Sequence, residues 1–261
     1  MVQIDRNPLV SVVVTTNNRK ELLAKTIRSI LNQTFNDFEI ILVDNFSNYD
    51  IESLVETFND PRVKLVQNRN NGIIAVNRNV GISYSQGTYL AFCDDDDCWF
   101  PDKLNLQLVE ALKNPDEKVL IYTDAEYEKT NGEKYIDKKR QIISDKDVLT
   151  GSNIYFSSIF VKKTPLVKFD ESVELVASED FKLICDLYYN DYKFIHIAKT
   201  LLDYRVALTS ASRENSISNY GRKNYIIMYC LLKYRDKINN KATIYWHMLI
   251  NELKAFIKVL M

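Results

Sequence analysis

Apolar and polar positions alternate along this chain in two recurring signatures. Leu9-Val10-Ser11-Val12-Val13-Val14 is a β-branched run with almost no polar face, the pattern of a strand covered on both sides. Leu22, Leu23, Thr26, Ile27, Ile30 and Leu31 then recur at three- and four-residue spacing and form one face of a helix, with Asn18 placed to cap it. The two signatures repeat in turn. Phe38 to Val43 reads as a strand ending at Asp44, Ile51 to Phe58 as a helix, and Val63 to Val66 as a strand. Ile73 to Tyr84 reads as a helix closed by Gln86-Gly87, and Thr88 to Cys93 as a strand running into Asp94-Asp95-Asp96-Asp97. Such alternation predicts an α/β protein whose central sheet is mainly parallel, with right-handed crossovers. Ligands bind such sheets at the carboxyl ends of the strands. Here those ends carry Thr15-Thr16-Asn17, Asp44-Asn45 and the four aspartates.

The pattern continues with less regularity. A helix is predicted over Asp102–Leu112 and strands over Val119–Asp124 and Ile159–Val161. Residues 126–150 are polar, with Asn131-Gly132 as a hairpin turn. Ser178–Tyr189 reads as a helix, and Phe194–Ile197 and Leu201–Val206 as two closing strands. The division into a body over 1–221 and a helical extension over 222–261 rests on composition. The extension holds eight Lys/Arg and two acids, a charge of +6 against -7 for the rest, with Tyr225, Tyr245, Trp246, Phe256 and Leu260 among the basic residues. Two readings of it stay open. It is a basic, aromatic surface for the inner face of the plasma membrane, or it packs on the body or a second copy as a homodimer element.

Length and composition narrow the class. At 261 residues, 46% hydrophobic and 26% charged, the chain is globular, one large domain or a domain with an appendage. A net charge of -1 argues against a nucleic-acid partner recognised by bulk charge. Two histidines leave little scope for a multi-histidine metal centre. The cysteines at 93, 98, 185 and 230 form no Cys-x-x-Cys pair and read as packing residues. With no secretory leader and no uncharged apolar run of about 18 residues, the expected location is the cytoplasm.

The acidic run is the sharpest chemical signal. Consecutive carboxylates repel one another, more strongly as water is removed. A lone acidic run reads as a solvated turn; at the carboxyl end of a buried strand in a parallel sheet, it asks instead for a neutralising cation or positive ligand. Mg²⁺ and Mn²⁺ favour oxygen ligands, often one or two carboxylates completed by substrate phosphates. Glu179-Asp180 after Ser178 also suits a helix N-terminus, where Ser caps and acids are favoured.

Taken together the motifs resemble the family-2 glycosyltransferases of the GT-A fold, a Rossmann-like nucleotide-binding architecture. The similarity runs through Val10-Ser11-Val12-Val13-Val14-Thr15, Ser29-Ile30-Leu31-Asn32-Gln33-Thr34-Phe35 and Ile41-Leu42-Val43-Asp44-Asn45. It continues through Asn71-Gly72 with Arg78-Asn79-Val80-Gly81, the stretch from Leu90 to Asp97 with Trp99, Pro101, Lys103 and Leu104, and Ser178-Glu179-Asp180. Their order and spacing cover roughly residues 8–206.

The resemblance implies an inverting, metal-dependent enzyme of surface-polysaccharide assembly. It would move a sugar from a nucleoside-diphosphate donor, by preference a UDP-sugar, to a hydroxyl of a glycan or lipid-linked acceptor. Asp180 would be the catalytic base, and Asp96, with Asp94, would hold Mn²⁺ or Mg²⁺. Thr15, Asn17, Asp44, Asn45, Arg78, Asp94 and Asp95 would surround the nucleotide; Trp99 and Glu179 would face the acceptor. Asn45 stands where the family often has a second aspartate, and Asn17 where an aromatic often stacks on the base. For Arg78 a surface helix charge, and for Trp99 a core aromatic, are the competing readings. Tyr204-Arg205 matches a segment near the donor diphosphate loosely. A non-catalytic nucleotide- or glycan-binding domain and a metal-dependent nucleotidyltransferase are the alternatives. The latter normally has a glycine-rich basic loop after the first strand, which Thr15-Thr16-Asn17-Asn18-Arg19 is not.

Overall fold

A computed structural model describes residues 7–113, 115–128, 132–149, 154–205, 216–239 and 241–260. The first half follows the predicted alternation. Strands β1 (Val10–Thr16), β2 (Phe38–Asp44), β3 (Val63–Gln67) and β4 (Tyr89–Asp94) are linked by helices α1 (Lys20–Leu31), α2 (Ile51–Glu56) and α3 (Ile74–Tyr84). They pair in parallel in the order β3-β2-β1-β4. Successive side chains of a strand point to opposite faces, so the sheet carries two cores. Val12, Val14, Ala91 and Cys93 pack under α1 with Leu23 and Ile27, whereas Val13, Leu90 and Phe92 pack on the other side with Ala75 of α3. Gly81 lets α3 approach closely: a Cβ there would lie 2.4 Å from a methyl of Val13. Register aligns the strand ends, with Thr15 opposite both Val43 and Asp94, and Thr16 opposite Asp44.

The second half is mixed. Here lie β5 (Cys98–Trp99), α4 (Lys103–Ala111), β6 (Val119–Glu128), β7 (Lys134–Asp137), α5 (Asp145–Leu149), β8 (Phe160–Lys162), α6 (Glu179–Tyr189) and β9 (Lys193–Arg205). The sheet continues β4-β8-β6-β9-β5, with β8 antiparallel to both neighbours and β6 parallel to β9. β6 and β7 form a hairpin where Asn131-Gly132 was read as the turn; Gly132 has φ +81°, while Asn131 lies outside the described residues.

Three expectations change. The two closing strands are one, β9: the exposed Ala198-Lys199 interval that breaks the apolar pattern is an irregularity in the ladder, where the partner of Thr123 is Ile197 and that of Asp124 is Thr200. Val206 lies outside the described residues. Asn18 does not cap α1. It sits at φ +56°, and its side-chain oxygen accepts from Asn48 N at 2.7 Å, so Arg19 takes the cap position without a side-chain cap bond. Ser178 holds the cap position of α6, but its hydroxyl makes no cap bond; instead Ser178 N donates to Glu179 Oε2 at 3.0 Å.

The extension is helical, as α7 (Ser216–Lys233) and α8 (Lys241–Leu260). The boundary read at 221/222 falls inside α7. Ile226, Ile227, Cys230, Leu231 and Tyr234 join the same apolar cluster as Leu183, Cys185 and Leu187 of α6. The side chains of Phe256 and Leu260 lie outside the described residues. Cys93, Cys185 and Cys230 are buried and Cys98 half-buried, all as free thiols.

Candidate active site

The aligned strand ends open onto a cavity of about 290 Å³. Its walls come from β1 (Thr15), the start of α1 (Arg19), α3 (Arg78), the turn after β4 (Asp94, Asp95, Asp96), the start of α6 (Glu179, Asp180) and the end of β9 (Tyr204, Arg205). Thr15 and Arg205, 190 positions apart, thus line one cavity, because parallel strands send their carboxyl ends the same way.

The acidic turn is held from inside. Asp97 N donates to Asp94 O at 3.2 Å, and Asp97 O accepts from Thr26 Oγ1 at 2.7 Å. Asp97 itself is fully buried, away from the cavity. Its Oδ1 accepts from Arg205 N at 3.1 Å, and among the described residues its Oδ2 has no hydrogen-bond partner. Burial, with Asp94 and Asp96 nearby, pushes its carboxyl well above the usual range. The other three carboxylates line the cavity. Burial, then the charges of Asp94 and Asp95, pushes Asp96 up to about 6. Burial also raises Asp95, against the opposing pull of Arg19 and of Thr16, whose hydroxyl donates to it at 2.7 Å.

Two arginines offset part of this charge. Arg19 NH1 donates to Asp95 Oδ1 at 3.0 Å and to Asp96 Oδ2 at 2.9 Å. Arg78 is buried rather than a surface charge. It donates to Glu179 Oε1 at 2.6 Å and Asp94 Oδ1 at 2.9 Å, with its guanidinium 4.1 Å from the centre of the Phe156 ring. It therefore ties the acidic turn to α6. Burial raises the Glu179 carboxyl, opposed by Arg78 and aided by Asp180. Asp180 Oδ1 accepts from Phe181 N at 2.7 Å. The chain enters α6 through Ala177 at φ +64°, which costs a residue with a Cβ about 1–2 kcal/mol.

The remaining candidates divide. Thr15 lines the cavity. Asp44, Asn45 and Asn17 do not, and their polar atoms hold neighbouring loops. Asp44 is fully buried and accepts from Ser47 Oγ at 2.5 Å and Gln67 Nε2 at 3.2 Å. Asn45 Oδ1 accepts from Asn70 N at 3.0 Å, and Asn17 Nδ2 donates to Asn45 O at 2.9 Å. Trp99 is 4% exposed in the core, its Nε1 donating to Ser157 O at 2.9 Å, so it offers no floor to this cavity. The aromatic wall is Tyr204, stacked on Tyr155 with ring centres 4.3 Å apart.

Arg19 is the residue that sequence reasoning missed, although it carried a signal. A cation at a helix start opposes the helix dipole, so its place there has to be explained by something else, and the acidic turn explains it.

Carboxylates and arginines around a cavity at the carboxyl edge of a mainly parallel, Rossmann-like sheet are the frame of a GT-A-type nucleotide-binding fold. The chain belongs to Glycosyl transferase family 2, whose family model matches residues 11–172. Over 78% of the chain and 79% of the relative, it is 28% identical to an Escherichia coli protein described as UDP-Glc:alpha-D-GlcNAc-diphosphoundecaprenol beta-1,3-glucosyltransferase WfgD. The fold matches S. aureus TarS 1-349 in complex with UDP at a TM-score of 0.65, with 20% identity over 85% of this chain and 65% of that one. It matches the mannosyltransferase PcManGT from Pyrobaculum calidifontis, in complex with GDP-Man and Mn2+, at 0.62, with 14% identity over 98% of this chain and 76% of that one. Other curated relatives are much longer, the chain spanning 19% and 25% of two of them.

Proposed function

We propose that this glycosyltransferase moves a sugar from a UDP-sugar to a hydroxyl of a glycan or lipid-linked acceptor, with inversion, in surface-polysaccharide assembly. The observation that carries the proposal is one cavity shared by Asp180, the carboxylates Asp94 to Asp96, and Arg19 and Arg78. A UDP donor and a diphospholipid acceptor are supported by the activity in the name of WfgD, and UDP by the TarS complex.

Each side chain then has a task. Asp180, as carboxylate, takes the proton of the acceptor hydroxyl as it attacks the anomeric carbon. A single displacement by one base inverts the configuration. Arg78 keeps Glu179 and Asp94 in place, so the base and the acidic turn hold a fixed relation. Tyr204 and Thr15 bound the space left to the donor. A divalent cation fits the donor set: three hard carboxylates line the cavity, and Asp96 is pushed up to about 6 by burial and like charge that a cation would relieve. Among the described residues no group of three or more His, Cys, Asp or Glu is arranged to hold a metal ion by itself, so a shell here would need oxygens of the substrate diphosphate to complete it. Asp96 and Asp94 would hold Mn²⁺ or Mg²⁺, which would offset the charge left on the departing diphosphate. The test is calorimetry with UDP, GDP and their sugar conjugates, each with and without Mn²⁺. UDP binding tightened by Mn²⁺, and a product of opposite anomeric configuration by NMR, are expected; a GDP-only binder or a retained configuration overturns the reading.

The lipid-linked acceptor makes a membrane surface the natural partner of α7 and α8. Among the described residues no helix is long and apolar enough to cross a membrane. The inner side of α7 is spent on the core, but Tyr225, Met228 and Leu232 on α7 and Trp246, Leu249 and Leu253 on α8 are exposed at three- and four-residue spacing. A region of charge +6 bearing such stripes suits an anionic leaflet, at about 1 kcal/mol per basic residue near the surface. Co-sedimentation with anionic but not neutral vesicles, lost in Trp246→Glu/Leu249→Glu, is expected. Indifference to vesicles together with dimerisation through the same stripes would assign them to a homodimer instead.

A further inference from the structure

Every carboxylate that lines the cavity beside β4 already has a cationic partner from the chain. Asp94 is held by Arg78, while Asp95 and Asp96 share a single nitrogen of Arg19, at 3.0 and 2.9 Å. A divalent cation held by Asp96 would compete with that nitrogen for the same carboxylate. The contact spans the end of β4 and the start of α1, and the Arg19 side chain is 26% exposed, against 7% and 11% for Asp95 and Asp96. The guanidinium and the two carboxylates thus line the same cavity, with the arginine the more exposed of the three. Arg78, at 6% exposure, is locked by two acids and an aromatic ring. Of the two arginines, Arg19 is the one with room to exchange partners.

We propose that Arg19 is an internal counter-ion for Asp95 and Asp96 that gives up these carboxylates when cation and nucleoside diphosphate enter together, and then pairs with the diphosphate. This rests on the metal-dependent reading above. The charges can be followed stage by stage. Without ligand, the single guanidinium offsets one of the two carboxylate charges and leaves a net negative charge at the pair. With ligand, the cation takes over that offset, and the planar donor fork of Arg19 faces phosphate oxygens, which it suits. A cation arriving alone would have to break the Arg19 contacts and leave the guanidinium facing other cations. Arg19 therefore disfavours cation binding alone and favours joint binding. Because coupling between two ligands is reciprocal, each should tighten the other by the same factor.

The test is binding, not turnover. Full-length wild type, Arg19→Gln and Arg19→Lys are titrated with Mn²⁺ alone, UDP alone and each in the presence of the other. Free Mn²⁺ is read by electron paramagnetic resonance and UDP binding by calorimetry. In wild type, Mn²⁺ alone should bind weakly, and each ligand should tighten the other at least tenfold. In Arg19→Gln, Mn²⁺ alone should bind at least tenfold more tightly than in wild type, and the mutual tightening should shrink at least tenfold. Arg19→Lys, which keeps a charge without the planar fork, should fall between. Arg19→Gln with unchanged or weaker binding of Mn²⁺ alone, or with coupling intact, overturns the proposal and leaves the metal reading standing. Wild-type UDP binding that ignores Mn²⁺ removes the metal reading and the proposal with it. If Arg19→Gln does not fold, wild-type values for Arg19→Lys in both measurements are the overturning result.

Discussion

Two regions of this molecule gather charge around aspartate, and they are resolved in opposite ways. At the end of β4, six acids from Asp94 to Asp97 and from Glu179 and Asp180 meet two arginines, and five of the six line a cavity. On α6, Asp186 meets an excess of donors. Lys182 Nζ lies 2.6 Å from one oxygen, and Tyr234 OH, Tyr229 OH and Lys233 Nζ lie 2.6, 3.3 and 3.4 Å from the other. Burial alone would raise the Asp186 carboxyl; the Lys182 and Tyr234 hydrogen bonds outweigh it and hold it below the usual range. The first cluster keeps unbalanced negative charge facing open volume, the second saturates its charge against packed helices. Unbalanced charge at a cavity is a demand for a ligand; saturated charge between helices is a fastening.

The contrast breaks most decisively at Asp180. Asp180→Asn is expected to lower turnover about 10²–10⁴-fold while leaving donor affinity and melting temperature near wild type; a Km change without a kcat change would remove it from the chemistry. Asp96→Asn takes one charge from the crowded side. Activity should fall at least about 10²-fold while the melting temperature holds or rises, since repulsion is relieved; a marked fall in melting temperature would make the turn a fastening too.

Asp186→Ala should do the reverse. It leaves Lys182 with only its longer pair to Asp170, at 3.4 Å, and removes the acceptor of two tyrosine hydroxyls, so it should cost about 3 kcal/mol in chemical denaturation, because the shorter partner of a largely buried ion pair is lost. Donor affinity per folded molecule should not change. Tyr234→Phe, which removes one hydrogen bond to that carboxylate, should cost about 1.5 kcal/mol.

Lys103 sharpens the comparison from the positive side. It is fully buried, its ammonium donating to Gln107 Oε1 at 2.9 Å and lying 3.9 Å from the centre of the Trp99 ring, and burial pushes it down to about 7. Between pH 7 and its ordinary value, the unfolded chain holds a proton there that the folded chain releases. Stability should therefore rise with pH from about 7 to 9.5, at up to about 1.4 kcal/mol per pH unit. Denaturation midpoints across that window should show the slope, and Lys103→Met should flatten it. A slope that persists in the variant assigns it elsewhere.

The succession of β1 to β4 along the chain, their parallel sheet and its polar edge were legible in the sequence. Each βα unit there writes its own period, and a parallel sheet sends all its carboxyl ends one way. The run Asp94–Asp97 marked that edge as acidic for the same local reason. The β6–β7 hairpin was legible through Gly132, but the single strand β9 was not, because Ala198-Lys199 breaks the apolar pattern as a loop would and only pairing with β6 carries the strand across it.

Partnership was the part decided by tertiary structure. Nothing local tells that Asp97, among four identical neighbours, turns into the core while the others line the cavity, or that Trp99 gives its indole N–H to Ser157. Nor does it tell that Arg78 spends both arms on Glu179 and Asp94, or that Arg19 bridges Asp95 and Asp96. A residue type sets which charges and donors are available within a few ångströms of its own Cα. Which opposite charge comes within 3 Å of it, and whether water remains between them, depends on elements up to a hundred residues away. The sequence by itself thus determined that negative charge collects at one edge of a parallel sheet, and the packing of α1, α3 and α6 against that edge determined which of those charges are balanced and which are left facing the cavity.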